Sequence, residues 1–153
     1  MTDIVPMWHD KRGAGDPVVL LHGGLTDGRC FTGNLDGLAG TFTIYLPDRR
    51  GHGRTPDVPG PITIDLMARD TVAFLEGVVG GPARLVGYSA GGTVALYRAL
   101  PNAELAVLPN PSHLLLMEHA ETARTMVRTF LTTDAAPTYM PIARARQGAP
   151  NAR

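Results

Sequence analysis

Ser89 lies between two glycines in the stretch GYSAGG, which matches the pattern G-x-S-x-G. The residues before it, ARLVG, read as a strand, and those after it, AGGTVALYRAL, read as a helix. Glycines at such a tight strand-to-helix turn let the serine hydroxyl project above the sheet edge, where the helix N-terminus favours developing negative charge. The pattern therefore predicts a serine nucleophile.

A histidine after a hydrophobic strand could be the general base for this serine. The segment AELAVLP predicts a strand, and His113 lies in the loop that follows it. Because the turn at 101–103 is short and parallel crossovers are right-handed, we expect Leu105–Leu108 to lie beside Arg84–Val86. Neighbouring strands are about 4.8 Å apart, so this arrangement would bring His113 within hydrogen-bonding distance of Ser89.

A glycine-rich loop ends another apolar strand, VVLLHGG, at the same edge of the predicted sheet. Because glycine has no side chain, backbone N–H groups of this loop can approach a ligand closely. The N–H of Ala90, together with that of Gly24 or Leu25, could hold the oxyanion of a tetrahedral intermediate. We interpret His22 as a structural histidine that orients this loop, and not as the catalytic base.

The acid that would complete a catalytic triad is missing from its expected position. In the order Ser, acid, His, only Glu104 lies between Ser89 and His113. A helix that descends about 16 Å and a strand that climbs about 13 Å leave Glu104 at the opposite end of the sheet. The group that orients the imidazole is therefore unknown. The candidates are a backbone carbonyl, a water, a neighbouring subunit, and the carboxylates of Asp27, Asp48 and Asp134.

The elements that must position these residues alternate along the chain. Short apolar runs rich in β-branched residues alternate with helical stretches, which favours a parallel sheet covered on both faces. We predict an α/β fold, a three-layer αβα sandwich with a reduced, mostly parallel sheet of about five strands, as one domain over 1–131. Residues 132–153 lack periodicity and predict a flexible tail. The predicted elements include a weak first strand at Ile4–Trp8 and a short helix at Gly28–Ala39, which Gly33 and Gly37 weaken. They also include a helix at Ile64–Val79 that Thr63 caps and that Gly80 and Gly81 stop.

The composition limits the partners of the protein. The 153 residues carry no net charge and no cluster of basic residues, which argues against binding to nucleic acid or to a membrane surface. One cysteine, Cys30, excludes an internal disulfide and a thiolate zinc site. No apolar run approaches the length of a membrane span. We expect a cytoplasmic protein that acts on small molecules without a cofactor or a metal.

These motifs together resemble the α/β-hydrolase family, and in particular its serine esterases. The blocks VVLLHGG, PDRRGHGRT, GYSAGG and NAELAVLPNPSHLLLMEHAE look like the family's oxyanion loop, its next strand and turn, its nucleophile elbow and its final strand with the histidine loop. The resemblance implies that Ser89 is the nucleophile, Ala90 and Gly24 are oxyanion donors and His113 is the base. Arg49, Arg50 and His52 are expected to hold the turn and not to touch substrate.

The chain departs from the family between the elbow helix and the final strand. The lid, two strands and the acid of a full member are missing there, so the resemblance implies a truncated, lidless, minimal fold. We expect slow ester hydrolysis in an open cleft that takes small or polymeric esters and is lined by Leu25, Phe31 and Leu114–Leu116. An exposed sheet edge would favour a homodimer or a higher homo-oligomer.

Two other functions remain open at this point. The chain could be a remnant or engineered scaffold that folds and associates without meaningful catalysis. It could also direct the same serine chemistry elsewhere, as thioesterases, C–C bond hydrolases and cofactor-free perhydrolases of the family do.

Overall fold

A four-stranded sheet forms the centre of the computed structural model, which describes residues 4–97, 104–105, 112–132 and 140–141. The strand order is β1-β3-β2-β4, with β2 parallel to both β3 and β4 and with β1 antiparallel to β3. The sheet is therefore mixed but mostly parallel. Its strands are β1 (His9–Arg12), β2 (Pro17–Leu21), β3 (Thr43–Pro47) and β4 (Arg84–Gly87).

Helices cover both faces of this sheet. Two short 3₁₀ helices, Gly28–Phe31 and Leu35–Gly40, follow β2. The α-helices are α1 (Ile64–Phe74), which a π-helical turn continues over Leu75–Val79, α2 (Ala90–Tyr97), α3 (Leu115–Glu118) and α4 (Ala120–Thr132).

The alternation of side chains along β2 divides the core into two layers. Val18 and Leu20 pack with Phe31 and with residues of α4, whereas Val19 and Leu21 pack with residues of α1 and α2. The four side chains from Val18 to Leu21 are fully buried, which explains why this strand reads as a continuous apolar run. The predicted αβα sandwich is confirmed.

The first strand begins five residues further along the chain than the apolar pattern predicted. Ile4–Trp8 is not a strand, and two of its backbone N–H groups bond to side chains: Val5 donates to Asp70 (3.1 Å) and Trp8 to Thr55 (2.8 Å). The strand is instead the polar segment His9–Arg12. An edge strand is held by its partner's backbone, so its own side chains need not be apolar.

The predicted helix over Gly28–Ala39 is split into the two 3₁₀ helices. Gly33, between them, has a left-handed φ of +80°, which ends the first helix. The boundaries predicted for the helix at Ile64–Val79 are confirmed. The Thr63 side chain accepts a hydrogen bond from Leu66 N–H (3.2 Å), and Gly80 stops the helix with a φ of +78°.

The predicted fifth strand differs where the structure describes it. Glu104–Leu105 (β5) pairs antiparallel with Met140–Pro141 (β6), and no pairing of β5 with β4 is recorded. The crossover rule predicts that β5 lies beside β4 in the sheet. It does not take into account that another strand, here β6, can pair with β5 instead. Residues 106–111, which include the rest of the predicted strand, lie outside the described residues, as does most of the predicted tail.

The described part of the chain contains no helix that is both long and apolar enough to cross a membrane.

Candidate active site

Ser89 lies in the turn between β4 and α2, and its backbone is in the left-handed region with φ of +54°. Residues other than glycine adopt this backbone conformation only at a cost in free energy. Such strain is typical of turns that carry functional residues. The residue is exposed to solvent. The strand-turn-helix setting that GYSAGG predicts is therefore present.

The two glycines of the motif allow the elbow to form. A Cβ atom on Gly87 would overlap the backbone of Gly91 and Gly92, and one on Gly91 would overlap the carbonyls of Leu21 and His22. The start of α2 thus packs directly on the ends of β2 and β4. Any side chain at these two positions would push the helix away from the sheet.

The N-terminus of α2, which begins at Ala90, lies directly after the serine. The N–H of Gly91 bonds to Tyr88 C=O (2.9 Å), and that of Thr93 bonds to Ser89 C=O (3.2 Å). The first N–H groups of any helix lack intrahelical partners. Ala90 opens α2 and can therefore point its N–H at a developing oxyanion.

The loop after β2 approaches the same serine. The Cβ position of Gly23 is 3.4 Å from Ser89 Cβ and 3.3 Å from the Tyr88 ring, whereas that of Gly24 meets open space. Leu25 has φ of +57°, and its side chain is completely exposed. The predicted oxyanion loop is therefore at the elbow, with backbone uncovered on the side of Gly24 and Leu25.

His22 is fully buried beneath this loop and uses both ring nitrogens. Nδ1 is 2.7 Å from Gly23 C=O, and Nε2 accepts a hydrogen bond from Arg49 N–H (3.0 Å). Burial and the nearby Arg49 charge lower the pKa of His22 to about 4, so the ring is neutral with its proton on Nδ1. This ring supports the loop and is not placed to act as a base.

His113 lies next to the elbow in the loop before α3. Its ring centroid is 5.5 Å from that of Tyr88, and its carbonyl accepts a hydrogen bond from Tyr88 Oη. His113 is exposed, and the described residues include no hydrogen bond between Ser89 Oγ and its imidazole. The sequence did not predict the contact between Tyr88 and His113, because any residue type can occupy the middle position of G-x-S.

Glu118 holds the segment that carries His113. Its carboxylate accepts hydrogen bonds from Ser112 Oγ (2.7 Å) and Ser112 N–H (3.1 Å), and Ser112 Oγ in turn accepts one from Leu114 N–H (3.0 Å). These bonds to Ser112 lower the pKa of Glu118. Glu118 thus ties the start of the loop that carries His113 to α3.

The described candidates for the triad acid are occupied elsewhere. Asp27 binds the Arg29 guanidinium (2.6 Å) and caps a 3₁₀ helix, and the bond to Arg29 lowers its pKa to about 2. Asp48 is fully buried and accepts bonds from Gly28 N–H (2.8 Å) and Arg54 Nε (2.7 Å). Neither is recorded in contact with His113. Asp134 lies outside the described residues.

The apolar surface near the elbow differs in part from the predicted cleft. Phe31 and Leu116 are buried in the core cluster, and Leu115 packs against it. Leu25, Leu114 and Met117 are exposed, the last two by 53% and 72%. In the part of the chain that the structure describes, no group of three or more His, Cys, Asp or Glu side chains could hold a metal ion.

A mostly parallel sheet between helices and a strained serine elbow beside a glycine loop are typical of the α/β class of hydrolases. A family model described as "Alpha/beta hydrolase family" matches residues 18–152, so the chain belongs to this family. Among curated relatives, a pimeloyl-(acyl-carrier protein) methyl ester esterase of Stenotrophomonas maltophilia is 33% identical over 87 residues, which cover 57% of this chain and 32% of the relative. The chain spans about a third of the length of the curated relatives it matches.

Solved structures agree with this assignment. A thermophilic esterase from Thermogutta terrifontis is 32% identical with a TM-score of 0.56, over 60% of this chain and 34% of that one. A marine microorganism esterase, at 22% identity, shows the shared fold over 85% of this chain and 52% of its own, with a TM-score of 0.59.

Proposed function

We propose that this chain is a serine hydrolase of the carboxylesterase type that cleaves esters through an acyl-enzyme intermediate. The observation that carries the proposal is the strained, exposed Ser89, which lies beside the glycine loop and next to the Tyr88–His113 contact. The similarity to esterases supports ester hydrolysis as the reaction.

In the proposed mechanism, Ser89 Oγ attacks the ester carbonyl while His113 accepts the hydroxyl proton. The oxyanion that forms is held by N–H groups of Ala90 and of Gly24 or Leu25. His113 then donates its proton to the departing alcohol, which leaves Ser89 acylated. A water molecule, deprotonated by His113, releases the acid and restores the serine.

The proposed turnover is slow, because no carboxylate orients His113 among the described residues. Altering the triad acid of a working enzyme costs about 10⁴-fold in turnover, but an oxyanion hole and substrate binding alone retain about 10³-fold or more over water. The uncovered loop and the exposed Leu25, Leu114 and Met117 favour small activated esters, or polymeric esters that need an open groove.

Ser89→Ala tests the nucleophile. We expect this change to abolish hydrolysis of a p-nitrophenyl ester and labelling by a fluorophosphonate probe, and the probe should map to Ser89 in the wild type. Thr93→Ala is the matched control, since it removes an exposed hydroxyl one turn further along α2. Equal rates for Ser89→Ala and the wild type, or a label on Ser112, would reject the proposal.

A further inference from the structure

Arg49 is a buried arginine in the turn after β3. It lies two residues after β3, and its side chain is 1% exposed. Two other arginines of the same turn pair with carboxylates, Arg50 with Asp70 and Arg54 with Asp48. Arg49 has no such partner among the described residues. A buried charge of this kind is costly, so its position calls for a physical reason.

The guanidinium of Arg49 is directed at the loop after β2. One terminal nitrogen donates a hydrogen bond to Gly23 C=O (2.8 Å), and the other is 3.3 Å from Met67 Sδ. Nε is buried and has no partner within the described structure. Burial lowers the pKa of Arg49 to about 10, which still leaves the group positively charged at neutral pH.

The carbonyl that Arg49 binds belongs to the same peptide unit as the Gly24 N–H. In a planar trans peptide the C=O and N–H bonds point in opposite directions, so a group that fixes the carbonyl also fixes the direction of the N–H. His22 Nδ1 donates to the same carbonyl (2.7 Å). Two buried donors therefore hold the carbonyl of the Gly23–Gly24 peptide, whereas Gly24 itself is exposed and its Cβ position meets open space.

We propose that Arg49 is a positioning residue that orients and polarises the Gly23–Gly24 peptide as an oxyanion donor for Ser89. This inference rests on the proposed function. Hydrogen bonds in a chain strengthen one another, so a cation at the carbonyl makes the Gly24 N–H a better donor. A carboxylate beside Arg49 would cancel that field, which gives the unpaired charge its physical reason.

Arg49 should affect the turnover number, kcat, and not the binding of the ester. The oxyanion exists only when the tetrahedral intermediate forms, so a better donor stabilises the transition state more than the bound ester. Loss of one oxyanion donor costs about 10²- to 10³-fold in kcat. Loss of a group that merely aims and polarises the donor should cost less, on the order of tenfold.

The test compares Arg49→Met and Arg49→Lys with Arg54→Met, which removes a guanidinium from the same turn that does not contact Gly23. For Arg49→Met we expect kcat per folded molecule to fall about tenfold with KM nearly unchanged. Arg49→Lys should recover part of the loss because it keeps the charge, and Arg54→Met should retain the kcat of the wild type.

A second measurement does not depend on activity. The amide nitrogen resonance of Gly24 reports the hydrogen bonds at the preceding carbonyl, so it should move in Arg49→Met and stay in place in Arg54→Met. If Arg49→Met does not fold, Arg49→Lys decides through the same resonance, because lysine does not reproduce the planar fork of arginine.

Each outcome decides the role of Arg49. An unmoved Gly24 resonance in the folded Arg49 variants would overturn the proposal, as would a kcat equal to that of Arg54→Met. A wild type without Ser89-dependent turnover would reject the proposed function by itself, and the Gly24 resonance would still show whether Arg49 polarises the peptide.

Discussion

The residues around the elbow combine a strained backbone with buried polar support. Ser89 is held in a left-handed conformation, which costs on the order of 1–3 kcal/mol for a residue with a side chain. Beneath the loop beside it, His22 and Arg49 bond to the same carbonyl of Gly23. The serine turn thus lies beside a loop that buried hydrogen bonds hold in place.

The buried His22 predicts how the stability of the protein depends on pH. Its pKa is about 4 in the folded protein and 6.5 when exposed, so the unfolded chain binds a proton that the folded chain does not between these values. The free energy of unfolding should therefore fall as the pH drops from about 6.5 to 4. Since one pKa unit is worth about 1.4 kcal/mol, the loss reaches about 3 kcal/mol.

Urea unfolding of the wild type and of His22→Gln at several pH values between 7 and 4 measures this term. The variant will be less stable at neutral pH, but its free energy of unfolding should change less with pH across that interval. Asp27, whose pKa is lowered to about 2, acts mainly below this window. Parallel curves for the two proteins would show that His22 does not carry the effect.

The elements are joined by Asp70 of α1. Its carboxylate binds Arg50 after β3 (2.5 and 2.8 Å) and accepts the Val5 N–H (3.1 Å), so one buried group connects the helix, the turn and the N-terminal segment. Arg50 and Asp70 are exposed by only 6% and 1%. Solvent therefore does not screen the electrostatic attraction between these two side chains.

Asp70→Ala should lower the free energy of unfolding by about 3–5 kcal/mol, because it removes one member of a buried ion pair together with the acceptor of the Val5 N–H. Asp65→Ala, on the exposed face of the same helix, removes a pair with Arg69 that is about half exposed and should cost no more than about 1 kcal/mol. Denaturant unfolding of both variants makes the comparison. Similar losses for the two would mean that the buried pair does not tie the elements together.

Elements that leave a local pattern of apolar residues or helix caps in the sequence could be predicted from it. The apolar β2 and the helix between Thr63 and Gly80 were found because burial on two faces and caps leave local patterns. The strand His9–Arg12 and the pairing of Glu104–Leu105 were missed because the backbone of a distant partner decides them. In the same way, the glycines of GYSAGG predict the serine elbow. The Tyr88–His113 contact and the bond from Arg49 to Gly23 could not be predicted, because they depend on how distant segments pack together.

At the scale of the whole molecule, the two edges of the sheet differ. The strand at one edge, β1, contains Lys11 and Arg12, and charged side chains discourage pairing with another chain. At the other edge, β4 carries a charge only at Arg84, followed by the half-buried Leu85 and Val86. The described residues provide no partner for its outer side. We therefore propose a homodimer, or a higher homo-oligomer, that forms through the β4 edge.

Amide exchange can locate such an interface. Tyr88 N–H donates to Leu21 of β2, and alternate residues of a parallel strand face the same neighbour, so the N–H groups of Leu85 and Gly87 point away from β2. We expect light scattering to find an oligomer at micromolar concentration, and these two amides to become more protected as the concentration rises. The amides of β1 serve as the control and should not change. Protection of Leu85 and Gly87 that is independent of concentration would instead indicate cover by the same chain, and a monomer in light scattering would contradict the proposal.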